Sequence, residues 1–438
     1  MKKYIYKFYL RLYYIKRKYK VLPKHILKDL LISQYWDRSK IKDNQLALIN
    51  NLILDAKENS IYYNNGKVAN IESPFNNLKQ FIEEFPRITK DLVIKNKESI
   101  INYKEFPRFR HTTSGSTGKP MEVEISGSAD VYRLASKMRF LSWWGVEIDD
   151  KNVLIWRTNN TSNIPYWQNI KNWMRNQLLI NIFDLSESTI EKYFKKIEQY
   201  KPVYIRGYKS GIFQLARLMH SKKLNFEQNR LKVIIVTAEI LLESERNFME
   251  KVFQTKVANE YGSSEAGLFA LECPKGNMHI NEESVFITSD NDNNVIVTEL
   301  YNNAMPLINY VNNDRIVISD KLCNCGRTSR LVDIIEGRVD DTVKCTDGSE
   351  KTHLIFHLIF AELHYEECKN SIKQFKITQN KYNFFVEIIP DQNFNQNAVT
   401  YIKKRMFEEI GDEIQIEVKI VANIPREKSG KLRVFIRK

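Results

Sequence analysis

The sequence is short of the features that mark secreted, membrane-spanning and nucleic-acid-binding chains. Its five cysteines, Cys273, Cys323, Cys325, Cys345 and Cys368, are odd in number and too few to staple 438 residues. A thiol or metal role in a reducing compartment is expected in place of a disulfide framework, with Cys345 and Cys368 as plain thiols. No apolar run approaches the roughly 18 residues needed to cross a bilayer. Aromatics and charges interrupt the basic N-terminus, so no secretory h-region stands out and the expected location is the cytoplasm. Neither a zinc-finger spacing nor an RNP-type motif occurs, so nucleic acid is not an expected partner. No internal repeat is present.

Acidic residues are missing from residues 1–20, which hold Lys2, Lys3, Lys7, Arg11, Lys16, Arg17, Lys18 and Lys20. Ile5, Phe8, Tyr9, Leu12, Ile15 and Tyr19 fall between them at roughly helical spacing. Two readings stay open for this basic amphipathic segment, residues 1–25. One is a helix lying on an anionic membrane or a partner, which would make the protein membrane-associated; the other is a surface helix with a solvated lysine face. The net charge of +14 also fits anionic substrates.

What is present is an ordinary globular composition, 43% hydrophobic and 27% charged, long enough for two or three domains. Leucine and isoleucine recur at helical spacing between 24 and 100, and Thr89 is placed to cap a helix. Beyond 120, strands are expected near 121–125, 153–156, 203–208, 233–237 and 257–261, with helices at 128–145, 189–200, 209–221 and 242–253. This alternation predicts an α/β core with largely parallel strands and ligands at their C-terminal ends. From about 270 to 340 strands and turns dominate, as in a β subdomain. Residues 341–438 read as a small α+β domain after an N-terminal domain of 1–340.

Thr112-Thr113-Ser114-Gly115-Ser116-Thr117-Gly118-Lys119-Pro120 packs hydroxyls, two glycines and a lysine into one loop. Such a loop can fold its backbone N–H groups around an anion, and its order is not that of Walker A. Downstream, in fixed order, come Thr237-Ala238-Glu239, Tyr261-Gly262-Ser263-Ser264-Glu265, Asn309-Tyr310-Val311-Asn312-Asn313-Asp314, Gly337-Arg338-Val339-Asp340-Asp341 and Pro425-Arg426-Glu427-Lys428-Ser429-Gly430-Lys431.

As an ordered set, from Phe85 to Lys438, these stretches resemble the adenylate-forming superfamily. Within it they look most like the phenylacetate–CoA ligase branch and its CapK-like subgroup of capsular polysaccharide biosynthesis, which is similar to coenzyme F390 synthetase. The resemblance implies a large AMP-binding domain, a small mobile lid turning about Asp340, and ATP-dependent activation of a carboxylate as acyl-AMP with release of pyrophosphate. Thr113 to Lys119 would then be the phosphate loop, and Ala238, Glu239 and Gly262 would belong to the nucleotide site. Tyr261 would stack on adenine, Ser264 contact the α-phosphate, Glu265 hold Mg²⁺, Asp314 bind ribose, and Arg338 contact ribose or phosphate. Lys431 would bridge the carboxylate and the α-phosphate during adenylation. Gly207-Tyr208-Lys209-Ser210 also matches this branch, either as acyl-pocket lining or as a strand-to-helix turn.

The acceptor stays open between CoA, a carrier protein and a sugar or amine. The hinge continues as Thr342-Val343-Lys344-Cys345, without the Arg-Gly pair usual in CoA ligases, so adenylation is better supported than thioester formation. Two rivals remain: AMP transfer to a hydroxyl acceptor, and a non-catalytic basic surface-binding protein.

Cys273, His279, Cys323 and Cys325 form a second constellation. Three thiolates and one imidazole would fill a tetrahedral zinc shell with no open position, as in a structural site. The alternative is reduced surface thiols beside a satisfied histidine.

Overall fold

A computed structural model describes residues 22–113, 120–157, 166–226, 230–338, 342–363, 371–427 and 430–438. The basic segment 1–20, Ser114 to Lys119 of the anion loop, Asp340 and Cys368 lie outside the described residues. The chain divides into two compact units, Met1–Asn312 with Ile316–Ile334, and Asn313–Arg315 with Ile335–Lys438.

The first unit opens with helices α1 (Pro23–Ser33), α2 (Arg38–Asn59), α3 (Leu78–Glu84) and α4 (Lys90–Lys95). Asp37 caps α2 by accepting from the Lys40 N–H at 2.8 Å, and Thr89 caps α4 from the Leu92 N–H at 3.4 Å. Strands β1 (Arg108–Thr112) and β2 (Glu122–Ser126) pair antiparallel, Thr112 opposite Glu122. Ser126 then caps α5 (Gly127–Trp143) through the Ala129 N–H at 3.1 Å.

The α/β core follows, with β3 (Asn152–Trp156), α6 (Tyr166–Met174), β4 (Gln177–Asn181), α7 (Ile190–Tyr200), β5 (Tyr204–Tyr208), α8 (Lys209–Ser221), β6 (Val233–Thr237), α9 (Glu243–Phe253) and β7 (Val257–Ser263). Strands β4, β3, β5, β6 and β7 run parallel in that spatial order. Val233, Ile234, Ile235 and Val236 are all fully buried because both sheet faces are covered. One face carries Ile155, Ile205, Ile212, Ile234 and Val236, and the other packs Tyr204, Val233, Ile235 and Ala258 under Phe140 and Leu141 of α5.

The strand-rich stretch adds β8 (Gly267–Glu272), β9 (Met278–Ile280), β10 (Val285–Ser289), β11 (Asn294–Glu299), β12 (Tyr310–Ser319) and β13 (Leu331–Arg338) to the same sheet, which has eleven strands among the described residues. β8 pairs antiparallel with β7, so the parallel run stops there.

The second unit holds the hairpin β14 (Thr342–Lys344) and β15 (Glu350–Thr352), then α10 (Leu354–Glu362), β16 (Ile372–Asn380), β17 (Asn383–Pro390), α11 (Gln396–Ile410), β18 (Gln415–Ile420) and β19 (Phe435–Arg437). Its four-stranded sheet has the order β18-β17-β16-β19, over a core that includes Phe356, Ile377, Phe384, Val386 and Ile402. No helix among the described residues is long and apolar enough to cross a membrane.

Candidate functional site

The β1–β2 hairpin carries the anion loop at its tip. Thr113 closes the loop's base twice: its N–H donates to the Met121 carbonyl at 2.8 Å, and its Oγ1 accepts from the Met121 N–H at 3.0 Å. Thr113 itself is buried. Two residues earlier stands His111. Desolvation holds its imidazole below the ordinary histidine range, the charges of Arg133 and Arg157 add to this, and Glu265 opposes it.

Residues 261–265 span the C-terminal end of core strand β7 and the start of the turn into β8. Gly262 is required there, because a Cβ would lie 2.4 Å from the Gly267 carbonyl oxygen. Gly267 has φ +85°, and a Cβ on it would meet Glu299 Oε1 at 2.9 Å. The space Gly267 leaves is filled by an ion pair. Arg133 of α5 donates from Nε and Nη2 to Glu299 at 2.6 and 2.8 Å, and from Nη1 and Nη2 to the carbonyls of Ser264 and Glu265 at 3.4 and 3.2 Å. Ser263 Oγ accepts from the Ala266 N–H at 3.1 Å. The turn is therefore pinned from both sides while Ser264 stays exposed and the Glu265 side chain half-exposed. Tyr261 is nearly buried, its ring edge-on to Phe269 with centroids 5.3 Å apart.

Ala238 follows β6 at φ +70°. Glu239 accepts from the Ser210 N–H at 2.6 Å and from Ser210 Oγ at 2.9 Å, so it ties the end of β6 to the start of α8. Gly207-Tyr208-Lys209-Ser210 is a strand-to-helix turn. A Cβ at Gly207 would lie 2.4 Å from the Ile155 carbonyl oxygen. The Tyr208 ring stacks on Trp156 at 4.0 Å.

Asn309 has φ +49°, and its carbonyl accepts from the Ile88 N–H at 3.2 Å. The Ile88 carbonyl in turn accepts from the Val311 N–H at 3.0 Å, which fixes the start of β12. Asp314 lies within β12 directly after Asn313 at φ +58°. Arg338 ends β13, and its side chain lies outside the described residues. In the second unit, Lys431 follows Gly430, which has φ +85°. The Lys431 carbonyl accepts from the Glu427 N–H at 3.0 Å, and Arg426 donates to the Gly430 carbonyl at 3.2 Å.

The Cys/His constellation converges in the first unit. The donor atoms of Cys273, His279, Cys323 and Cys325 all lie within 4.8 Å of one another. Cys273 Sγ and Cys323 Sγ are 3.7 Å apart, and Cys325 Sγ is 3.2 Å from His279 Nε2. The sulfurs are far beyond the roughly 2.05 Å of a disulfide. They match the about 3.8 Å between two thiolates on one tetrahedral ion with metal–sulfur bonds of about 2.3 Å. Burial, with help from Arg327 and Arg139, pushes the His279 imidazole down to about 4, so at neutral pH it keeps a lone pair. Its Nδ1 lies 3.1 Å from Ser329 Oγ, the outer hydrogen bond that orients a ligating imidazole. Burial pushes the Cys273 thiol up to about 12. Burial also acts to raise Cys325, but the backbone N–H and side chain of Arg327 outweigh it and leave that thiol below its ordinary range.

Comparison with known proteins now adds to this geometry. Residues 349–438 match the family model for the CapK C-terminal domain. The chain is 27% identical over 375 residues to Protein CapK of Staphylococcus aureus, covering 81% of this chain and 80% of that protein. A crystal structure of 2-hydroxyisobutyryl-CoA ligase in the postadenylation state matches with a TM-score of 0.75 at 15% identity, over 93% of this chain and 91% of that one. Residues 349–438 therefore carry a CapK C-terminal domain, and the chain as a whole is similar to CapK in sequence and to 2-hydroxyisobutyryl-CoA ligase in fold. Anthranilate CoA ligase in complex with anthranoyl-AMP shares the fold at a TM-score of 0.50 and 13% identity, over 73% of this chain and 64% of that one.

Arg133 and His111 stand beside the candidate site and were passed over by motif reading. Arg133 sits in a helix interior and its partner Glu299 is 166 residues away. His111 directly precedes the motif, and that adjacency was the one signal available.

Proposed function

We propose that the chain is an ATP-dependent ligase that activates a carboxylate as acyl-AMP, releases pyrophosphate, and passes the acyl group to CoA, a carrier protein or a sugar or amine acceptor in surface polysaccharide synthesis. The observation that carries this reading is the pinned Tyr261–Glu265 turn. Two glycines and the Arg133–Glu299 pair hold Ser264 and Glu265 outward at the end of a core strand. Catalysis of this type rests on placing fixed charges and donors where phosphate charge shifts.

In this reading the 113–119 loop grips the phosphates that leave, and Ser264 donates to the α-phosphate. Glu265 is a half-exposed carboxylate, which suits Mg²⁺, an ion that takes one or two protein carboxylates and keeps its waters. Tyr261, Gly262, Ala238, Glu239, Asp314 and Arg338 bind the adenosine side. Lys431 supplies the charge that brings the carboxylate to the α-phosphorus. Cys273, His279, Cys323 and Cys325 hold a structural zinc: four donors close the shell, three of them buried, and leave no open position for catalysis.

Carboxylate-dependent ATP–pyrophosphate exchange tests the assignment. The wild-type protein should support exchange with at least one acid of a broad panel. Lys431→Ala should lose exchange while still binding ATP. An ATP-binding preparation that exchanges with no acid rejects the reading.

A further inference from the structure

Helix α5 faces the sheet with residues spaced by about one turn, and the character of this stripe changes along its length. Trp144, just past the helix, donates from Nε1 to the Glu272 carbonyl at 3.0 Å. Phe140 and Leu141 pack on Tyr204, Val233, Ile235 and Ala258. Arg133, at the other end, reaches the carbonyls of Ser264 and Glu265. Between the apolar floor and the site turn stands Lys137. Its side chain is half-buried, and a lysine on the sheet-facing stripe of a helix needs a reason, since even partial burial of an ammonium is costly without a counter-charge.

The counter-charge available is already committed. Glu260 on β7 gives both carboxylate oxygens to Arg206 on β5, with Arg206 Nε to Oε2 at 3.2 Å, and it also accepts from Thr237. Among the described residues Lys137 makes no hydrogen bond or ion pair. Its strongest electrostatic neighbours are Arg206, Glu260 and Arg175, two cations against one spent carboxylate. Burial, with Arg206 and Arg175, pushes the lysine down to about 7. The aromatic pair Trp156 and Tyr208 bounds the same region, with the Arg206 guanidinium 5.7 Å from the Trp156 ring. Arg157 acts electrostatically on both Tyr208 and His111, so this layer is continuous with the site turn.

Lys137 lies four residues from Arg133, about 6 Å along the helix axis at 1.5 Å per residue. We infer that the acid activated by this protein carries a second anionic group, and that Lys137, beside the Glu260-anchored Arg206, binds that group one helical turn beneath the reacting carboxylate. The substrate class is a short dicarboxylic acid or an acid with a sulfonate or phosphate in the second position. This rests on the carboxylate-activation reading and narrows it. An acid with a neutral tail would leave Lys137 without a partner, and that is discrimination by an unmet charge.

The test is pyrophosphate exchange with matched acids: succinate against butyrate, phthalate against benzoate, and sulfobenzoate against toluate. The doubly anionic member of a pair should support exchange at least tenfold better in kcat/KM. Lys137→Met should remove most of that preference by raising KM for the diacid, while Lys137→Arg should keep it. Urea unfolding of both variants reports whether they fold. The wild-type comparison needs no variant at all. Exchange with neutral-tail acids equal to or better than with their diacid partners overturns the inference and leaves carboxylate activation standing. A diacid preference unchanged in a folded Lys137→Met variant also overturns it. Exchange with no acid in an ATP-binding preparation overturns both.

Discussion

Arg133 offers the sharpest separation of stability from site geometry. Its guanidinium makes four contacts, two to the Glu299 carboxylate and two to the carbonyls of Ser264 and Glu265. The Glu299 side chain is only 6% exposed. Arg133→Met strips that carboxylate of its partner, and breaking a buried pair from one side costs about 3–5 kcal/mol. Changing both residues, Arg133→Met with Glu299→Met, removes the stranded charge and should return most of that loss, because apolar replacement of a buried pair is close to neutral. The two carbonyl contacts do not return. Each charge-assisted hydrogen bond contributes about 1.5–3 kcal/mol, and about 1.4 kcal/mol is tenfold in rate, so a site turn released from one side should lose at least tenfold in exchange.

The assay is therefore paired. Urea unfolding should show the single variant weakened by about 3–5 kcal/mol and the double variant near wild type. Pyrophosphate exchange should stay at least tenfold down in both. A double variant with wild-type stability and wild-type exchange would refute the reasoning, since Arg133 would then matter only as the partner of Glu299.

Gly262→Ala should fold poorly or lose exchange, because its Cβ meets backbone at 2.4 Å and neither strand can yield without opening the turn; overpacking of this kind costs about 1–3 kcal/mol or more, read by thermal unfolding. Purified protein should contain one zinc per chain by elemental analysis, and Cys323→Ser should lose it together with thermal stability. Arg139→Met leaves buried Glu283 without the arginine that donates to it at 2.5 and 3.0 Å. In the wild type, burial acts to raise Glu283, but Arg139 outweighs it and holds the carboxyl below its ordinary value. That stability is present above the unfolded-state pKa and fades as pH falls through the lower folded value. In the variant the carboxyl titrates high, so the deficit of about 3–5 kcal/mol at neutral pH should shrink on acidification, as urea titrations at several pH values would show.

The parallel core was legible because β3, β5, β6 and β7 are short apolar runs separated by helix-length spacings, and local pattern alone specifies such units. The cap at Thr89 and the convergence of Cys273, His279, Cys323 and Cys325 were legible for a similar reason: each is a residue type with a strong local preference or chemistry. The joining of β8–β13 onto the core sheet was not legible. Strand pairing is chosen by packing between distant segments, and the run after 270 carries no signal of which edge it will meet. The same limit hid the contacts of Glu239, whose partner Ser210 lies 29 residues upstream.

Helix α5 shows this limit most clearly and also what lies beyond it. From sequence it is a helix of mixed composition without a motif. In the fold, its sheet-facing stripe passes from Trp144 and the apolar Phe140 and Leu141 through Lys137 to Arg133. Packing explains the first part and the Glu299 pair explains the last. Neither explains Lys137, whose neighbourhood holds more positive than negative charge. A stability argument alone would favour leucine or methionine there, since an aliphatic side chain would extend the floor and carry no desolvation penalty. A cation kept at that level, one helical turn from the arginine that pins the proposed site turn, makes physical sense when something negative enters with the substrate. The specificity of the chain is then set by a helix residue outside every motif its sequence displays.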